Sequence, residues 1–227
     1  MRVPVPALLC LLLFLPTAPD ARAQQVMAAV AAPAEKAVPE TGRIAFRVIR
    51  EEVEIGAHEV RFRRDGDRLD VEVEIDLNVT FLGMSLYRYR HRALESWSGG
   101  RLVALQSTTD DNGERHEVSG SAGPDGFIVR TAAGKRTFPA DAMPSSHWNP
   151  LWLEGRPLIN TQTGQPIDFS VRRLGTETVA TASGATPAER FAVSGALRKD
   201  IWFDAGGRWA ATRFQAPDGS TISYLRK

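Results

Sequence analysis

Cysteine is almost missing from this chain: its 227 residues hold one, Cys10, inside an apolar run near the start. A chain freed of that leader has no disulfide and no thiol chemistry, so its stability must rest on a buried core. Long hydrophobic runs are missing as well. Beyond residue 15 nothing approaches the roughly 18 to 20 apolar residues that a bilayer-crossing helix requires, so no integral membrane segment is expected in the mature chain. Nor is there an excess of charge of one sign: 28 basic residues stand against 27 acidic ones. Arg2, Arg22 and Asp20 belong to the leader, and the remainder is balanced. Without clustered Lys and Arg there is no field for counterion release, which excludes nucleic acid as a default partner. Every glycine pair sits between strand-like segments rather than before a helix, so no phosphate-cradling loop is present. No cofactor is expected.

What is present begins with an address. Met1-Arg2 is a short basic start, Ala7 to Leu15 is the apolar run, and Ala21-Arg22-Ala23 places small residues where a signal peptidase reads. Cleavage is expected after Ala23, making residues 1–23 a removed signal peptide and the mature protein periplasmic or secreted. Cys10 lies within the apolar run rather than at the cleavage point, which argues against a lipid anchor. Gln24 to Gly42 is Ala-rich, broken by Pro33 and Pro39 and poor in bulky apolar residues; it reads as a flexible tether. A single domain, residues 43–227, follows.

From Gly42 onward the chain reads as strands and turns. Between Arg68 and Thr80, the residues Leu69, Val71, Val73, Ile75, Leu77 and Val79 alternate with Asp70, Glu72, Glu74, Asp76 and Asn78, the period-two signature of a strand with one buried face. Turn dipeptides recur at Asp65-Gly66, Gly99-Gly100, Asn112-Gly113, Asp125-Gly126, Gly206-Gly207 and Asp218-Gly219, as hairpins demand. A turn centred on Asp65-Gly66 sets Phe62 opposite Leu69, Val60 opposite Val71 and His58 opposite Val73. The next turn, Phe81 to Met84, reads as longer than two residues. One register pairs Asp76, Glu74 and Glu72 with Arg88, Arg90 and Arg92, and Leu77 and Ile75 with Tyr87 and Tyr89. A slip by two keeps the same parity and the same opposite charges together. An odd shift would bury arginines among valines, a heavy penalty.

The same pairing argues against a metal site. It puts His58, Val73 and His91 in a row across three strands, with the imidazoles roughly 10 Å apart. The turn at Gly99-Gly100 pairs His91 with Thr108, and the turn at Asn112-Gly113 pairs Thr109 with His116, which sends His116 to the other face. Zinc needs three or four ligands at about 2 Å, so no metal is expected.

One stretch interrupts the meander. Pro139 to Gly164 carries four prolines and two of the five tryptophans, so it cannot be regular strand throughout. Trp148 and Trp152, four apart with Pro150 between them, suit a short helical turn within a loop folded over one opening of the sheet. Long loops inside compact domains are often lids or binding loops. His147, Trp148 and Trp152, with Tyr87, Tyr89 and Trp97 on the neighbouring strand face, are the candidate ligand-binding residues. Catalytic constellations are weak. Ser145, Ser146 and His147 are chain neighbours, and adjacency rarely supplies the geometry of a nucleophile and its base. Asp110-Asp111 borders a tight turn and points to opposite faces.

The segments Ile55-Gly56-Ala57-His58, Phe81-Leu82-Gly83 with Tyr87-Arg88-Tyr89, Glu95-Ser96-Trp97, Thr108 to Gly113, Ser145 to Asn149, Asn160 to Gly164 and Asp200 to Asp204 together resemble an uncharacterised family of exported bacterial all-β domains of unknown function. The resemblance spans Arg43 to Lys227 and implies fold and export, with no activity attached. More remotely, the chain is similar to curved-sheet periplasmic domains, some of which carry lipids or lipoproteins. The expected architecture is all-β: a strongly curved antiparallel meander or open barrel of roughly ten to twelve strands, with the Pro/Trp-rich loop over an opening. The expected function is a non-catalytic envelope protein holding an apolar or amphipathic ligand, such as a lipid, in the concavity, or meeting an envelope protein partner. Two alternatives stand beside it: a hydrolase-type enzyme using His147, and a structural or interaction module presenting the ladder of Glu72, Glu74, Asp76, Arg88, Arg90 and Arg92.

Overall fold

The computed structural model describes residues 36–181 and 184–227. The expected signal peptide and residues 24–35 of the expected tether lie outside these. Residues 36–42, also assigned to the tether, sit against the domain: Ala37 is fully buried and Val38 packs on the main core.

The chain folds as expected for period-two patterning, into a large curved antiparallel sheet that does not close into a barrel. Its first run is β1 (Arg43–Arg50), β2 (Val53–Asp65), β3 (Arg68–Phe81), β4 (Met84–Ser98), β5 (Arg101–Asp111), β6 (Glu114–Gly123), β7 (Gly126–Thr131) and β8 (Gly134–Phe138). Three short strands follow, β9 (Met143–Pro144), β10 (Leu158–Ile159) and β11 (Pro166–Ile167), with a 3-10 turn at Pro150–Glu154 between the first two. The second run is β12 (Phe169–Thr181), β13 (Gly184–Gly195), β14 (Lys199–Asp204), β15 (Trp209–Gln215) and β16 (Thr221–Arg226). The main sheet has 13 strands, with β16 paired to β1 and with β12 and β8 as its two edges. No helix among the described residues is long and apolar enough to cross a membrane.

The interrupting segment leaves one edge strand after Phe138 and re-enters the other at Phe169. It therefore spans the open side of the sheet and drops its apolar side chains inward. Trp148, Leu151, Trp152, Leu158 and Ile159 join Phe46, Val60, Val71, Val73, Leu105, Val129, Ile201 and Trp209 in one core. Burial of each large side chain contributes about 1.5–3 kcal/mol, enough to hold down a segment of little regular structure. Gly164 marks where its backbone presses on β7: at φ +71°, a Cβ there would meet Thr131 at 2.5 Å.

Across β2, β3 and β4 parity is as the alternation predicts, with Val71 and Val73 each 1% exposed. Exact register differs at three places. Asp65 pairs with Arg68, so the β2–β3 turn is Gly66-Asp67; this moves Phe62, Val60 and His58 opposite Val71, Val73 and Ile75. The β3–β4 turn has two residues after all, Leu82-Gly83, both with positive φ. A bulge at Val79/Thr80 then brings Asp76 opposite Arg90, Glu74 opposite Arg92, and Ile75 opposite His91, the slip by two. The third difference is a bulge between Ser96 and Trp97, which pairs His91 with Thr109 instead of Thr108. Because Thr109 also faces His116, His116 shares the face of His91 and is not turned away from it.

Candidate functional site

On the concave side, between the sheet and the crossing segment, lies a cavity of about 200 Å³. The sheet supplies His58 from β2, Tyr89 and His91 from β4, Lys199 from β14 and Tyr224 from β16; the crossing segment supplies His147. Lys199 points inward because it shares a strand face with Ile201 and Phe203, both buried. His147 follows β9 in a left-handed backbone conformation, φ 67°, and its ring lies edge-on to Trp152 at 5.3 Å.

The central contact joins the two. Lys199 Nζ stands 2.7 Å from His147 Nε2, so the lysine donates to a neutral imidazole whose Nε2 accepts. Burial pushes the Lys199 ammonium down to about 7 and holds His147 well below the ordinary imidazole range, helped by the lysine's charge. Burial likewise lowers His91 to about 4 and, with the charges of His91 and Lys199, His58 to about 3. All three imidazoles are therefore neutral at pH 7, because a charge in this partly dehydrated space is expensive.

His91 Nδ1 meets Thr109 Oγ1 at 2.8 Å. Among the described residues His58 has no such partner. It is 3% exposed, ringed by Phe46, Trp209 and Tyr224, and both of its ring nitrogens are buried without a hydrogen bond. Tyr89 donates its hydroxyl to Gln162 Oε1 at 3.2 Å, and Gln162 donates in turn to Asp111.

Of the six residues singled out from sequence, Tyr89 and His147 line this cavity. Tyr87 lies at the exposed end of β4 and donates to Asp111. Trp97 and Trp148 meet edge-on at 5.4 Å inside the core, and both indole N–H groups donate to Glu95 Oε2, at 3.0 and 2.9 Å. Trp152 is buried beneath His147, against Phe169. The tryptophans of the crossing segment thus fill much of the concavity, and the smaller polar cavity lies beside them. The histidines, expected to diverge, place three of the four on its walls; among the described residues, however, no group of three or more His, Cys, Asp or Glu stands close enough to hold a metal ion. Sequence reasoning missed Lys199 and Glu95. The inward parity of Lys199 with Ile201 and Phe203 was a usable signal for the first.

Serine does not complete a catalytic pair here. Ser145 Oγ contacts Thr161 Oγ1 at 3.2 Å, Ser146 faces Glu95, and among the described residues no Ser, Asp or Glu hydrogen-bonds His147. Larger hollows of about 720 and 920 Å³ run over the outer face beside Arg92 and Leu94. Ion pairs at the first of them, such as Arg61 with Glu72, are largely exposed and contribute little; the strongly shifted histidines and Lys199 line the inner cavity.

The architecture is shared with a solved structure. A crystal structure of a beta-barrel-like protein of domain of unknown function DUF1849 from Brucella abortus superposes with a TM-score of 0.58 at 8% identity, covering 82% of this chain and 94% of that one. At that identity the likeness is one of fold. The comparison with curated proteins gave no match. Sequence likeness to a family is extensive, taking in all but the first strand residues of the sheet and every cavity residue named above: residues 46–227 match the family described as domain of unknown function DUF6134, and the chain belongs to it.

Proposed function

We propose that this protein is an exported, non-catalytic component of the cell envelope, periplasmic or secreted, that holds a small amphipathic ligand in the cavity on the concave side of its sheet. The observation that carries this reading is His58. A buried imidazole with both nitrogens unpaired costs about 1–3 kcal/mol for each unsatisfied group, and His58 faces a space that a partner could enter. Around it, Lys199 and Tyr224 offer polar contacts, while Val73, Ile75 and Leu197 offer an apolar wall. A ligand with a polar head and a short apolar body matches both halves.

Size narrows the class. The cavity of about 200 Å³ equals about six or seven waters at ~30 Å³ each and falls below the roughly 300–1,000 Å³ of drug-sized sites. A full-length lipid has no room, because Trp148, Trp152 and Trp209 occupy the rest of the concavity. The interaction-module alternative is less supported: in the outer ladder, Arg61, Glu72, Glu74 and Arg92 already pair with one another. Isothermal titration with hexanoate tests the proposal. Wild-type protein is expected to bind and to gain thermal stability, and His58→Phe to lose at least about tenfold in affinity, the weight of one hydrogen bond to a charged group. Absence of heat and of thermal shift with hexanoate and with hexanol alike overturns it.

A further inference from the structure

Lys199 reaches the cavity in an unusual electrostatic setting. Among the described residues no carboxylate lies within ion-pair distance of it, and its amine meets a neutral imidazole instead. The lysine is half-buried and lines the cavity together with His147, Tyr224, Ile75 and Leu197. Amines used for covalent chemistry with carbonyl compounds are kept in this way: desolvated, unpaired with carboxylate, and next to a group that can move protons.

We propose that Lys199 captures a small apolar-tailed aldehyde as a covalent imine, with His147 moving the protons. The proposal rests on the reading that the cavity admits a small amphipathic ligand, and it names the reactive class. In the first step the lone pair of the neutral amine attacks the carbonyl carbon; the C–N bond forms and the carbonyl π pair moves to oxygen. His147 Nε2, 2.7 Å away, takes a proton from the nitrogen and hands it to the oxygen, which gives the neutral carbinolamine. In the second step His147 passes the remaining nitrogen proton to the hydroxyl, the C–O bond breaks, water leaves, and the nitrogen lone pair completes the C=N bond. Aldehyde and amine become imine and water, with no oxidant or reductant. The lowered basicity of Lys199, about 7, supports this by leaving much of the amine uncharged at neutral pH, whereas an ordinary lysine is almost wholly protonated there. The apolar wall of Val73, Ile75 and Leu197 suits an aldehyde with a short hydrocarbon tail.

The test is reductive trapping of the full mature chain with hexanal and cyanoborohydride at pH 7, followed by peptide mapping. Alkylation of Lys199 is expected at least about tenfold faster than that of the exposed Lys135, from the difference in free amine. Lys199→Arg retains a cation and the fold, checked by near-UV circular dichroism, and is expected to show no adduct in that peptide. His147→Gln should slow trapping and flatten its dependence on pH while leaving Lys199 as the modified residue, a result that mere loss of packing would not produce. Hexanol titration separates the two levels of argument. Hexanol binding with Lys199 labelled no faster than Lys135 overturns the covalent proposal and leaves the ligand site standing. Neither binding nor preferential labelling overturns both.

Discussion

Leu94 and Glu95 exchange the places that their polarity suggests: the leucine is 47% exposed and the glutamate 1%. The reason lies in their neighbours on the strand. Ala93 and Trp97 face inward, and strict alternation carries Glu95 with them. A carboxyl there would be costly alone, but the indole N–H groups of Trp97 and Trp148 need an acceptor, and Glu95 Oε2 serves both. Burial raises the Glu95 pKa, so its stabilising contribution is full below the ordinary carboxyl range and is lost as pH rises through the folded value. Glu95→Gln keeps an acceptor oxygen without the charge and is expected to be at least as stable as wild type at pH 7. Glu95→Leu strands two buried donors and is expected to lose about 2–6 kcal/mol, at about 1–3 kcal/mol each. Urea unfolding at pH 5 and pH 7 checks both. Nothing in the residue types around position 95 announces this role; it follows from a tryptophan 53 positions away.

At the scale of the strand, parity was readable from β2 to β4, whereas exact register, and parity beyond a bulge, were not. Period two is local: Val71, Val73 and their polar neighbours state which face is buried wherever the partner strand stands. Bulges add one residue to one side and shift everything beyond them, and the one between Ser96 and Trp97 re-aimed His116 to the cavity-facing side of β4 and β5. Another falls between Val48 and Ile49, opposite Gly56. Gly56 has φ +150°, and a Cβ on it would lie 2.0 Å from the Asp76 carbonyl oxygen, so two backbones meet there without space for a side chain. Gly56→Ala is therefore expected to cost about 2–3 kcal/mol or more, since the obstacle is backbone that cannot rotate away. At Gly66, where nothing stands within 4 Å, the same change should cost about 1 kcal/mol, the price of positive φ alone. Differential scanning calorimetry of the two variants separates these mechanisms.

For the molecule as a whole, the concave side collects groups that resist protonation. His58, His91 and His147 share the cavity with Lys199, Tyr89 and Tyr224, and no carboxylate lines it to offset added charge. His58 and His91 titrate at about 3 and about 4 in the folded chain, below the ordinary 6.5. As pH falls through 6.5 the unfolded chain takes up protons that the folded chain refuses, so stability falls with pH down to about 4. The combined loss by pH 4 is expected to reach about 7 kcal/mol, with about 2.5 pH units for each histidine at about 1.36 kcal/mol per pKa unit. Paired surface carboxylates such as Glu59 and Asp70 lose their contribution only at lower pH, because their pKa values are depressed from the carboxyl range. Guanidinium unfolding between pH 7 and 4.5 checks this. His58→Phe combined with His91→Gln should flatten the profile; an unchanged slope would assign the acid sensitivity elsewhere.

By itself the amino-acid sequence determined the strand class, the antiparallel hairpins and the inward face of β2 to β4, because side-chain alternation and glycine turns act over a few residues. It also marked Pro139 to Gly164 as the interruption, since four prolines cannot enter a ladder. Only the tertiary structure decided what the interruption does. His147 meets Lys199 across 52 positions and Tyr89 meets Gln162 across 73, and neither meeting follows from spacing. They arise because the crossing segment, fastened by its buried tryptophans, fills most of the concavity and leaves one small hollow where inward-facing polar residues from distant strands converge.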